Sequence, residues 1–364
     1  MQYYIPNSLR MRNSLVLFLC LLLFCSCKRS QSTDTSKSTV KVDKLINFKI
    51  LEGDEAKIKI ITDSKEAYFS DVRALEMSIQ MAEKWVPDGE REQVFIKYLD
   101  YLQEDVGSFT ETEKKLMMAM EDTINVLLKN VNKKWIYPDI YLVKLNAKCY
   151  GNGVFYTRDN GIYIPYDQLQ GASVEGLMSV FLHEIFHIMS RYSQEFRREA
   201  YSLIGFEPVE GKLKFPKSLD DRIFLNPDGV DMSYAITLKT DNENDKPIQA
   251  IPVIHSNSPN YMESKPAFFG YIQFDLFRIT EEGDGYKVNI GDDKGEIVTP
   301  DIGDYYYPSF FEQIYDNTQY IIHPDEIMAD NFMFAIFAKN KVQEYNFSVR
   351  GNELLENFQN LIFN

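Results

Sequence analysis

The sequence predicts an α+β fold, in which a helical N-terminal region precedes a helix laid against a mixed sheet. Three observations predict it. Apolar residues recur at helical spacing through much of residues 66–136. Strand-like runs with a hairpin signal follow Pro138. Residues 174–191 then form one apolar helical stretch that carries two histidines four positions apart. A chain of 364 residues, 45% hydrophobic and 14% aromatic, has enough apolar surface to hold such a fold on its core.

The first element is a targeting segment. Arg10 and Arg12 precede an unbroken apolar run of ten residues, Leu15 to Phe24, too short to span a bilayer but suited to secretion. Phe24-Cys25-Ser26-Cys27 resembles a bacterial lipobox, which implies that residues 1–26 are a lipoprotein signal peptide and that Cys27 is acylated. Residues 27–44, rich in Ser, Thr and Lys, read as a flexible tether. Losing Arg10 and Arg12 and no acid takes the formal charge from −15 to −17. Such a chain holds neither nucleic acid nor anionic lipid by charge, so membrane attachment comes through the lipid anchor only. Lys28 after Cys27 favours the outer membrane of the cell envelope. Cys20 and Cys25 leave with the signal, so Cys149 is the one ordinary thiol and no intrachain disulfide is expected.

Residues 45–136 are expected to be mainly helical after a strand-like entry at Ile46–Ile61. Leu75, Ile79 and Ala82 form one stripe, and Phe95, Leu99 and Leu102 another beyond a break at Pro87. Thr110 and Glu113 are a capping-box pair that opens a third helix, with Leu116, Met120, Ile124 and Leu127 on its apolar face. Residues 137–364 form the domain that carries the histidines. Ile140–Leu145 is a strand, and Val154–Thr157 and Ile162–Ile164 flank Arg158-Asp159-Asn160-Gly161, a hairpin turn. The last strand before the histidine helix would be the edge for an extended peptide to pair with. A β-rich insertion over about 205–317 contains strands at Gln249–His255, Phe268–Ile279 and Tyr286–Ile290. The aromatic run from Asp304 to Tyr320 is read as core packing beneath a loop rather than a cleft wall. Helix returns from Thr318, and Leu354, Phe358, Leu361 and Ile362 close the chain on one helical face.

The chemistry sits in His183-Glu184-Ile185-Phe186-His187. On a helix, His183 and His187 project from one face and can share a zinc ion, and Glu184 can take a proton from a zinc-bound water. Two histidines need a third protein ligand. Glu326 is the leading candidate, because Pro324 suits a first helical turn and Asp330 then lies on the same face. Glu207 is its rival, although Gly205 and Pro208 argue against a helix there. Glu199, Asp330 and His255 complete the candidates. A structural zinc site normally closes all four positions with Cys and His, and with Cys149 the one ordinary thiol the chain has too few for that pattern.

The pentad, the preceding hairpin and the Glu326-x-x-x-Asp330 pairing resemble the gluzincins, the thermolysin-like zinc metallopeptidases. The strings from His183 to Arg191, Tyr201 to Phe206, Asn226-Pro227-Asp228 and Glu326 to Phe332 resemble a less-studied group of bacterial lipoproteins with a metallopeptidase signature. Ser190 and Ser193 stand where the metzincin pattern requires glycine and histidine. The resemblance implies a zincin-like fold, zinc held by His183, His187 and Glu326, Asp330 supporting a ligand, and Glu184 as general base in hydrolysis of a peptide or protein. His255 and Tyr201 are open as oxyanion donors, as are many of the 23 tyrosines, and for each of these two a structural role is the better reading. The alternative is a non-enzymatic cell-envelope lipoprotein that binds peptide or protein through a retained zincin fold.

Overall fold

The computed structural model describes residues 44–84, 91–242, 244–293 and 298–364. The signal peptide, Cys27, the tether up to residue 43 and Pro87 lie outside the described residues. Within them the fold is mixed α+β. No described helix is long and apolar enough to cross a membrane.

The chain enters through β1 (Asn47–Leu51) and α1 (Gly53–Ile60). The strand expected over Ile46–Ile61 therefore stops halfway, because Gly53 at φ 55° turns the backbone in a way side chains resist. Three helices follow: α2 (Tyr68–Asp71), α3 (Ala74–Gln80) and α4 (Arg91–Glu104). Leu75 and Ile79 are buried on α3, but Ala82 falls past its end. On α4 the buried residues are Tyr98 and Leu102, not the whole Phe95/Leu99/Leu102 stripe. Tyr98 is drawn inward by a 2.6 Å hydrogen bond to Gln80 Oε1, a polar anchor that apolar periodicity does not register. The Thr110/Glu113 capping box opens α5 (Glu111–Leu128), which buries Met120, Ile124 and Leu127.

Then come β2 (Asp139–Leu145), β3 (Tyr156–Arg158) and β4 (Gly161–Pro165). The sheet order is β1-β2-β4-β3, with β1, β2 and β4 parallel and β3 antiparallel to β4. Residues on both sides of position 136 thus share one sheet. Side chains alternate between its faces: Ile140, Leu142, Ile162 and Ile164 enter one core, and Val143, Leu145 and Tyr163 the other. The last strand before the histidine helix, β4, is paired on both sides; the edge is β3.

Ser173 caps α6 (Val174–Tyr192), and Ser193 caps α7 (Gln194–Ser202). Beyond them lie β5 (Phe206–Pro208), β6 (Lys212–Lys214), α8 (Lys217–Asp220), β7 (Tyr234–Leu238), β8 (Ile248–Ser256), β9 (Ile272–Glu282) and β10 (Gly285–Val288). Their six strands form a second sheet in the order β5-β7-β8-β9-β10-β6. The antiparallel pair β11 (Ile290–Asp293) and β12 (Val298–Pro300) precedes α9 (Tyr307–Ile314). In the aromatic run, Tyr306 and Phe310 are buried while Tyr305 and Phe311 are exposed.

The chain ends with α10 (Pro324–Lys339) and α11 (Val349–Phe363). Regular helix thus begins at Pro324 rather than Thr318. His323 caps it, its Nδ1 accepting the Asp325 N–H at 3.1 Å, and Pro324 fills the first turn, where no N–H is needed. α6 runs between α5, β3 and α10, buried on nearly every side from Phe181 to Arg191.

Candidate metal centre

On α6, His183 and His187 are one turn apart and both face the first turns of α10. His183 Nε2 lies 3.0 Å and His187 Nε2 3.5 Å from the same oxygen, Glu326 Oε2. These three residues form a group able to hold a metal ion. Glu207 is exposed on β5, paired with Ala235, and His255 Nε2 meets Asp275 Oδ2 at 2.9 Å on the second sheet. Neither they, nor Glu199, nor Asp330 belongs to a metal-competent group among the described residues.

The far nitrogens of both rings are held by carboxylates. His183 Nδ1 is 2.9 Å from Asp330 Oδ1, and His187 Nδ1 is 2.6 Å from Asp325 Oδ2. The Thr318 hydroxyl donates to the other oxygen of Asp330. Asp325 Oδ1 accepts from Ser190 and from Tyr201, each at 2.6 Å. Tyr201 is therefore committed to Asp325, a supporting role rather than that of an oxyanion donor. Burial raises the Asp325 carboxyl, but the His187 hydrogen bond and the charges of His187 and Arg197 outweigh it and hold it below its usual range. The Tyr320 ring stacks beside His183, with centroids 5.9 Å apart.

Sequence spacing did not reveal Asp325, Asn226 or Asp228. Asn226 Nδ2 donates to Glu326 Oε1 at 2.6 Å, which leaves Oε2 facing the imidazoles. Asp228 Oδ1 accepts the N–H and the hydroxyl of Thr157 on β3. A carboxylate oxygen of Asp228, one of Glu184 and a ring nitrogen of His187 lie within 4.8 Å of one another. The turn from Asn226 to Gly229 is seated closely: a Cβ on Gly229 would lie 2.9 Å from His323 Cε1. Arg191, one turn beyond His187, donates to the Asp228 carbonyl at 2.8 Å and to the Asp159 carbonyl at 2.8 Å, tying this turn to the β3–β4 hairpin.

The charge balance suits a cation. Burial alone would strip both imidazoles of a proton, yet the carboxylates around them hold His183 well above its ordinary range and push His187 up to about 10. Burial first, and the nearby Asp228 charge second, raise the Glu184 carboxyl. His187 Nε2 and Glu184 Oε2 are buried with no hydrogen-bond partner. Buried polar atoms without a partner are rare and call for a ligand or a chemical role. A metal held by His183, His187 and Glu326 would satisfy the orphaned nitrogen and replace the protons that the surrounding carboxylates attract. The centre is mostly buried, with Glu326 and His187 0%, Glu184 4% and Asp228 6% exposed, while the His183 side chain keeps 13%. A cleft of about 350 Å³ lined by Ser70, Arg73, Arg91 and Asp220 is lined by none of these residues.

Comparison of the chain with models of known protein families, with curated proteins and with solved structures gives no match.

Proposed function

We propose that the protein is a zinc metallopeptidase with a zincin-like fold, anchored through a lipid on Cys27 in the bacterial cell envelope, the outer membrane favoured. The observation that carries this reading is the convergence of His183 Nε2, His187 Nε2 and Glu326 Oε2 beside a buried, unpartnered Glu184. Two imidazoles and one carboxylate are one of the three-ligand protein donor sets of catalytic zinc sites. When bound, zinc supplies a Lewis acid that polarises a carbonyl and brings the pKa of water to about 7.

The chain's own residues do the rest. Asp330 and Asp325 take the Nδ1 hydrogens of His183 and His187, which fixes the tautomer that turns each Nε2 inward as a donor. Asn226 holds one oxygen of Glu326 and so assigns the other to the metal. Glu184 is the general base. It takes a proton from the attacking water as the oxygen bonds to the scissile carbonyl carbon, and it gives that proton to the leaving amine as the C–N bond breaks.

The deep burial of Glu326 and His187 supports a second reading, an envelope lipoprotein that binds peptide or protein without cleaving it. A binding protein has no use for a buried, unpartnered carboxylate next to the histidines, and Glu184 favours the enzyme. The test is zinc per chain in protein starting at Lys28, with hydrolysis of a mixed peptide library followed alongside. About one zinc is expected, lost in Glu326→Ala and kept in Glu207→Ala. Glu184→Gln should keep the zinc and lose roughly 10²–10⁴-fold in hydrolysis. Folded wild type that takes up no zinc would overturn the proposal, and zinc without cleavage in any form would leave the binding protein.

A further inference from the structure

We infer that Glu184, His187 and Asp228 form a second cation position, distinct from the His183/His187/Glu326 trio and alternative to it, that takes a harder divalent ion such as manganese. A carboxylate oxygen of Glu184, one of Asp228 and a ring nitrogen of His187 all lie within 4.8 Å of one another, and Asp228 groups with these two residues rather than with His183 and Glu326. All three are almost wholly buried. The independent observation is what their atoms lack. Glu184 Oε2 and His187 Nε2 are buried with no hydrogen-bond partner, and both residues belong to this trio. His183 and Glu326, by contrast, already meet each other at 3.0 Å and are held further by Asp330 and Asn226. The unmet polar demand of the centre therefore falls mostly on the trio that contains Asp228.

The neighbours hold Asp228 in place without neutralising it. Its Oδ1 accepts the Thr157 N–H and hydroxyl, which leaves Oδ2 as the oxygen open to a cation. Arg191 lies against the same turn, yet it donates to Glu66, to the Thr157 hydroxyl and to the carbonyls of Asp159, Pro227 and Asp228. Two buried carboxylates set this close repel each other unless a positive charge lies between them. A divalent ion supplies that charge and brings the pair to neutrality. His187 gives Nδ1 to Asp325, so Nε2 is its only ligand atom. One nitrogen serves one ion, so an occupied second position excludes the first, and Glu184 then acts as a ligand instead of a base. Only that last point, about the base, rests on the zinc-peptidase reading above. The donor sets also differ in kind. Two imidazoles and one carboxylate favour zinc, whereas two carboxylates and one imidazole suit manganese better.

The test uses protein from Lys28 onward, as wild type, Asp228→Asn, Glu184→Gln and His183→Gln. Asn at position 228 keeps an acceptor for Thr157, and Glu184→Gln removes a ligand of the second position by a separate route. Bound manganese is read from the loss of the free-ion electron paramagnetic resonance signal, and zinc affinity by competition with a chelator. About one manganese per chain is expected in wild type, released when zinc is added, since both ions need His187 and zinc binds a given site more tightly. Asp228→Asn and Glu184→Gln should each bind manganese about tenfold or more weakly while keeping their zinc, and His183→Gln should do the reverse. Folded wild type that binds no manganese would overturn the inference. So would manganese that survives both Asp228→Asn and Glu184→Gln, that is lost equally in His183→Gln, or that stays bound beside zinc. Wild type that holds manganese but no zinc would instead overturn the peptidase reading and leave this position standing.

Discussion

Each histidine of the trio meets its own carboxylate on α10, Asp330 for His183 and Asp325 for His187. Such partners fix the ring and raise its basicity, and losing one commonly weakens metal binding by roughly 10–100-fold. Asp325→Asn and Asp330→Asn should therefore each lower zinc affinity by about that factor, read by chelator competition. They should differ in stability without metal. Asp325 is completely buried and also holds Ser190 and Tyr201, whereas Asp330 is partly exposed. Asp325→Asn should melt lower; equal melting temperatures would deny Asp325 its structural share. The pentad and the Glu326/Asp330 pair were legible because both follow helical spacing. Asp325 was not, since beside Glu326 it reads as an acid favouring a helix N-terminus. That it meets His187 depends on how α10 lies against α6. Asn226 and Asp228 come from a turn between α8 and β7, and only tertiary packing brings them in.

Among the elements, α6 is fixed at its far end by an ionic knot. Glu66 Oε2 accepts from Arg191 Nε at 2.7 Å and its Oε1 from Arg197 Nη2 at 2.8 Å, joining the loop before α2 to α6 and α7. Burial raises the Glu66 carboxyl, but the two guanidinium charges outweigh it and hold it below its ordinary range. Removing one partner of a buried ion pair leaves an uncompensated charge: Arg191 loses its carboxylate, while Arg197 keeps Asp231 Oδ2 at 3.4 Å. Glu66→Ala should cost about 3–5 kcal/mol in denaturant unfolding. A loss under about 1 kcal/mol would mean that the arginines find other partners, as surface pairs do. Local rules served well for elements set by their own termini. The Thr110/Glu113 box opens α5, Pro324 opens α10, and the Asp159-Asn160 turn joins β3 to β4. They failed where an element is set by its surroundings. One glycine divides Ile46–Ile61, and β3 rather than β4 becomes the edge because β2 crosses over to pair β4 in parallel.

For the whole molecule, the four-stranded sheet lies between two cores and feeds alternate side chains to each. β1 belongs to that sheet, so the helical N-terminal region is bound to the candidate metal centre through the sheet as well as through Glu66. Glu76 on α3 makes a third connection. Its Oε2 accepts the Leu225 N–H at 3.0 Å, immediately before Asn226, and Gln80 Nε2 donates to its Oε1 at 3.0 Å. Burial pushes this carboxyl up to about 8, with the Leu225 N–H and nearby Arg73 only partly opposing. The ordinary value is 4.5. Between these two pH values the folded chain keeps a proton that the unfolded chain has released, so more protons are bound when folded and stability falls as pH rises. The stability is fully present below about 4.5, is lost through the window up to about 8, and changes little beyond it. Glu76→Gln keeps the acceptor for Leu225 and removes the titration. Its melting temperature relative to wild type should therefore climb steadily from about pH 5 to about pH 8 and then level off. A difference that stays flat across that range would show that Glu76 ionises in the folded protein as it does in the unfolded one. The connection between α3 and the Asn226–Asp228 turn would then carry a buried charge rather than a neutral acid.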